Sequence, residues 1–232
     1  MAAVLAPNDR ELCTGSLYRF LRRHFLIGTA FTRSVDQLKP RRGTASPDRA
    51  ELLQLHYENL CIRSVDNFLS FVSELVQLAM RKRPAMLRST ETVTIEEVMN
   101  FSSFPNLVSY LIDRTLNRLA YKSIEEVEKF IRERTNVELF SDDNERLLLT
   151  IVIEMRNVYT HNRGDVSDAT LRRLSRFDHS LSLRRGQRFD ATLSELFELV
   201  DNLAVIARRL DASLAAKYRI QRVRYGTLRA RG

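Results

Sequence analysis

The chain has 232 residues, with 37 Lys plus Arg against 29 Asp plus Glu and a formal net charge of +8. A chain of this length buries roughly 70% of its unfolded surface, so it needs neither a disulfide framework nor a structural metal to fold, and it contains no run of about 18 apolar residues that would cross a membrane. Only seven glycines and five prolines, with no proline after Pro105, together with abundant Leu, Arg, Glu and Ala, predict an all-α protein.

Two isolated cysteines, Cys13 and Cys61, fit a reduced, cytoplasmic protein better than a disulfide scaffold. The stretch from Met1 to Pro7 lacks the basic and apolar regions of a signal peptide. The positive charge favours encounter with a polyanion. It is concentrated at the carboxy end, where Arg208, Arg209, Lys217, Arg219, Arg222, Arg224, Arg229 and Arg231 face only Asp211. With Tyr218 and Tyr225 interleaved, a basic tail over 216–232 suits a nucleic-acid backbone. The competing reading is a solvated, frayed end.

In chain order, residues 11–27 pattern as an amphipathic helix, followed by a loop from about Gly28 to Ser46. An N-terminal helix and mobile loop thus occupy 1–45. Ser46-Pro47 reads as an N-cap with proline at the first helical position. It opens a long helix to about Lys82, ended by Arg81-Lys82-Arg83 and Pro84. Along it Cys61, Val65, Phe68, Val72, Leu75 and Ala79 form a narrow apolar seam that packs on another helix, of the same chain or of a second copy. Thr94 with Glu97, Ser123 with Glu126 and Thr192 with Glu195 have capping-box spacing. Pro105 suits the first turn of a helix running to about Tyr121. From Ser141 the chain rises into Leu147-Leu148-Leu149-Thr150-Ile151-Val152-Ile153, apolar nearly all round and so expected at the centre of the core. Gly164 is its expected terminator, and a long final helix follows Thr192 to about Leu214. These elements make an antiparallel helical bundle over 46–215.

The segment with most chemistry is Arg156-Asn157-Val158-Tyr159-Thr160-His161-Asn162, continued by Arg163-Gly164. Arginine keeps its charge and offers a fork of donors that fits a phosphate. Histidine takes or gives a proton near neutral pH. This set suffices in kind for RNA cleavage without a metal: the ribose 2′-OH attacks the adjacent phosphorus, His161 handles a proton, and Arg156 holds the charge of the pentavalent phosphate. Asn157 would orient the phosphate or the imidazole, and Asn162 and Arg163 are candidate substrate contacts. Residues five apart sit about 140° from one another around a regular helix. Hence either the helix loosens near His161 or two chains converge in a two-fold dimer with a composite site.

The residues EMRNVYTHNRG, Glu154 to Gly164, closely resemble the signature of the HEPN superfamily (higher eukaryotes and prokaryotes nucleotide-binding): Arg, a polar residue, three variable positions and His. The capped segment Ile124 to Phe140 and the acidic turn before the motif are also similar, and the resemblance extends over about Thr94 to Leu214. It implies an all-helical domain that usually dimerises and often acts as a metal-independent endoribonuclease. Many such proteins serve bacterial toxin–antitoxin, abortive-infection or other antiviral systems, with RNA as substrate and an antitoxin or other defence protein as partner. Others are inactive and serve as binding or scaffolding modules.

Other residues have simpler explanations. Arg156 could be a helical ion-pair partner, and His161 could be placed near a helix C-terminus by the dipole alone. His24, His56 and His179 are lone and read as surface or packing residues. Glu96 with Glu97 and Glu125 with Glu126 fall in first turns, where capping explains them better than metal binding. No spacing holds zinc, so no metal or cofactor is expected. The alternatives to a ribonuclease are a non-catalytic interaction module and a basic nucleic-acid-binding regulator, although no helix-turn-helix with a short Gly turn is apparent.

Overall fold

A computed structural model describes residues 6–38, 47–87, 92–119, 123–177 and 182–231. It is 74% helix, with one short two-stranded sheet among the described residues, so the chain is all-α. The helices are α1 (Gly15–Gln37), α2 (Pro47–Lys82), α3 (Ile95–Met99), α4 (Phe104–Leu119), α5 (Ile124–Thr135), α6 (Asp143–His161), α7 (Asp168–Leu174), α8 (Leu193–Tyr218) and α9 (Tyr225–Arg229). Strands β1 (Leu12–Cys13) and β2 (Val223–Arg224) pair antiparallel, with Cys13 opposite Val223.

Helix α2 is the axis of the fold. It starts at Pro47, and the turn Pro84–Leu87 follows its end; Ser46, the expected N-cap, lies outside the described residues. Cys61, Val65, Phe68, Val72, Leu75 and Ala79 are all buried. Leu60, Phe71, Val76 and Met80 are buried too, so the apolar surface is wider than a narrow seam. Such an arc must be covered from several sides, and α1, α4, α6 and α8 of the same chain all pack on it. A fully buried Phe such as Phe68 contributes roughly 2–3 kcal/mol by leaving water.

Helix α1 corrects the expected loop, because it continues through Gly28 to Gln37. A mid-helix glycine costs about 1 kcal/mol relative to alanine, which burial of Gly28, Phe31 and Val35 offsets. The rest of that expected loop, from 39 to 46, lies outside the described residues. Contacts of Arg19 with Glu74, Phe20 with Asn67 and Phe31 with Tyr57 show that α1 runs antiparallel to α2. The edge-to-face pair of Phe31 and Phe197 joins α1 to α8.

All three capping boxes form, at Thr94/Glu97, Ser123/Glu126 and Thr192/Glu195. The Thr94 backbone N–H holds the Glu97 carboxyl below its ordinary range, with the Arg114 guanidinium adding to the effect. Helix α4 is described to Leu119; Tyr121, its expected end, lies outside the described residues. The run from Leu147 to Ile153 is less central than its composition predicts. Leu149 and Val152 are buried, whereas Leu147, Leu148, Ile151 and Ile153 are only half-buried. The centre belongs to α2, and α6 lies on its flank.

The basic carboxy end folds back on the bundle. Arg208 pairs with Glu11, Arg209 with Glu145 and Arg229 with Asp9, while Lys217 donates to the Asn136 carbonyl. Arg222 pairs with the buried Asp211, which also accepts from Thr14. Arg219, Arg224 and Arg231 remain exposed. Both cysteines are free and buried, and burial pushes the thiol up to about 12 at Cys61 and about 11 at Cys13. No described helix is long and apolar enough to cross a membrane.

Candidate functional site

Helix α6 carries the motif. Asp142 caps its start by accepting from the Glu145 N–H, and that bond holds the Asp142 carboxyl below its ordinary range. At the other end the N–H groups of Asn162 and Gly164 both reach the Val158 carbonyl. Arg163 and Gly164 take left-handed backbone, with φ of 55° and 95°. The helix is therefore regular through His161 and unwinds only after it.

Arg156, Asn157 and His161 all border one cleft of about 990 Å³ between α2 and α6. Its other walls include Asp66, Ser70 and Glu74 on α2, Leu116 on α4, the Ser123–Glu125 turn that opens α5, and Arg173 on α7. Asn157 closes the angular gap between the other two: around an ideal helix it lies about 100° from Arg156 and about 40° from His161. The Arg156 Nη1 donates to Asn157 Oδ1 at 3.2 Å. The expected alternatives, a loosened helix or a second chain, are thus not needed to bring Arg156 and His161 to a common cleft. Asn162 and Arg163 are exposed beyond the end of α6 and do not line it.

Three further residues complete the cleft. Asp66 accepts from Arg156 Nε at 3.0 Å, with Nη2 at 2.9 Å. Glu154, 5% exposed at its side chain, accepts from Arg173 Nε at 2.6 Å, and its second oxygen is buried without a hydrogen-bond partner among the described residues. Glu154 and His161 are seven apart, about 20° from alignment on one helix face. That spacing is visible in the sequence, so Glu154 could have been found there. Asp66 and Arg173 arrive through tertiary packing and carry no local signal. The wall carboxylates Asp66, Glu74 and Glu154 are ion-paired with Arg156, Arg19 and Arg173, while Glu125 lies in the first turn of α5.

The lone histidines stand apart from this site. His24 is buried on α1 with no hydrogen bond to either ring nitrogen among the described residues, His56 is half-buried on α2, and His179 lies outside the described residues. Glu96 lies in the first turn of α3, and Glu97 and Glu126 serve capping boxes. Among the described residues no group of three or more His, Cys, Asp or Glu side chains could hold a metal ion. Comparisons of the chain with protein-family models, with curated proteins and with solved structures find no match.

Proposed function

We propose that this chain is a metal-independent endoribonuclease of the HEPN type. The observation that supports the reading is the common cleft of Arg156, Asn157 and His161. In the proposed step the ribose 2′-OH loses its proton to His161 and attacks the adjacent phosphorus, and the bond to the 5′-oxygen breaks. The leaving oxygen takes up a proton, so the products carry a 2′,3′-cyclic phosphate and a 5′-hydroxyl. Asp66 occupies Nε and Nη2 of Arg156, which leaves Nη1 beside Asn157 for the phosphate oxygens. End-group analysis of the products tests this chemistry. RNA methylated at every 2′-oxygen must resist cleavage; 5′-phosphate products would overturn the mechanism.

A toxin or antiviral-defence role, with an antitoxin or similar partner, belongs to the same reading. Expression should arrest growth of a bacterial host, and His161→Ala should relieve the arrest. A homodimer is also proposed, and the exposed Ile95, Met99 and Phe104 offer an apolar face for it. Sedimentation of Phe104→Glu against the wild type tests that face. The rival reading is a non-catalytic interaction module, for which RNA would stay intact under all conditions.

A further inference from the structure

Between Arg163 and Asp190 the described residues carry seven arginines against three aspartates. They occupy two segments joined at the His161 end of the cleft. The segment around 184–189 is stitched to the segment that follows α6: Val166 N–H donates to the Gln187 carbonyl, Gly186 N–H to the Val166 carbonyl and Phe189 N–H to the Gly164 carbonyl. The buried Tyr159 hydroxyl fixes the same segment by donating to the Phe189 carbonyl at 2.7 Å. Helix α7 lies against α6, with Arg173 entering the cleft wall.

Three of the seven arginines are neutralised: Arg173 by Glu154, Arg185 by Asp168 and Arg188 by Glu58. The other four, Arg163, Arg172, Arg176 and Arg184, are exposed and have no ion pair among the described residues. Arginine forks fit phosphate oxygens bidentately. No exposed aromatic accompanies them, since Phe177 is half-buried and Phe189 buried. Such a surface suits a phosphate backbone and offers no aromatic platform for bases.

We infer that this arginine surface at the α6–α7 end of the cleft seats the phosphodiester backbone of a single-stranded polynucleotide. The basic carboxy end from Arg208 onward, five of whose eight cations are engaged within the chain, is not that seat. That the strand leads to His161 rests on the ribonuclease reading; the binding itself does not. Binding should depend on ionic strength and little on base sequence.

The test measures anisotropy of a labelled single-stranded DNA of about 12 nucleotides, which lacks the 2′-OH and so binds without being cut. Two variants of equal charge change are compared with the wild type: Arg172→Gln/Arg176→Gln/Arg184→Gln, and Arg219→Gln/Arg224→Gln/Arg231→Gln. The first should weaken binding at least tenfold and flatten the slope of log K against log salt by about 2; the second should stay within about twofold. Equal weakening by both variants, or a first variant within twofold of wild type, would overturn the inference. If RNA stays uncut while the first variant still loses DNA binding, the ribonuclease reading fails and the binding surface stands. If RNA is cut but the DNA contrast is absent, the reverse holds.

Discussion

Asp66 and Arg156, ninety residues apart in sequence, meet through two nitrogens of one guanidinium at 2.9–3.0 Å. The first residue of the motif is thereby aimed by the central helix, which turns its remaining nitrogen toward Asn157. In the proposed ribonuclease Asp66 is a positioning residue; both partners are partly exposed, so their pair contributes no more than about 1 kcal/mol to stability. Asp66→Asn should lower kcat for RNA about tenfold with little change in KM and almost none in Tm. Asp66→Glu should recover part of the loss. An unchanged kcat, or a fall in Tm large enough to explain the loss, would remove that role.

Glu154 and Arg173 form a more demanding pair, because Glu154 is buried and Arg173 is 40% exposed. Removing the arginine strands a buried carboxylate; removing the carboxylate lets the arginine return to water. Arg173→Met should cost about 3 kcal/mol and Glu154→Gln about 1 kcal/mol in urea unfolding. The double variant Glu154→Met/Arg173→Met should recover most of the larger loss. Equal costs for the two single variants would contradict this asymmetry.

His24 predicts an acid-sensitive fold. Its side chain is 2% exposed, Asp201 lies at 4.0 Å, and burial, aided by the charge of Arg208, pushes its pKa down to about 4. The unfolded state, near 6.5, therefore binds more protons than the folded state between the two values. The stabilisation is full above about pH 6.5 and is lost as pH falls toward 4. Unfolding free energy should drop by about 2 kcal/mol between pH 7 and pH 5 from this group. In His24→Leu that increment should vanish, as urea titrations at the two pH values would reveal; parallel profiles for both proteins would refute the assignment.

Gly164 ends the motif helix at a φ of 95°, and a Cβ there would meet the Arg188 side chain at 3.4 Å. Gly164→Ala should cost about 1–2 kcal/mol and loosen the link between the 184–189 segment and α6. Thermal unfolding would show the cost; a variant as stable as wild type would show that the turn tolerates a side chain.

Local signals were the legible ones. Proline at the start of α2, the three capping boxes and Gly164 act within one turn of backbone, and each appears where the sequence places it. The extent of α1 was hidden because Gly28 reads as a breaker, while the packing of Phe31 and Val35 that overrides it is tertiary. Composition likewise overstated the burial of Leu147 and Leu148, since a helix on the flank of α2 needs only one apolar face. In the cleft, Arg156, Asn157 and His161 share one helix and were readable together; Asp66 and Arg173 come from other helices. Charge counting singled out the carboxy-terminal tail, whereas ion pairing leaves exposed arginines beside α6 and α7 as well.

The most direct measurement is RNA cleavage in excess chelator by the wild type, His161→Ala and Arg156→Ala, each first shown to be folded by circular dichroism. The wild type should cut, and each variant should lose at least about a hundredfold in rate. Cleavage that requires Mg²⁺, or that survives His161→Ala at the wild-type rate, would contradict the proposed mechanism.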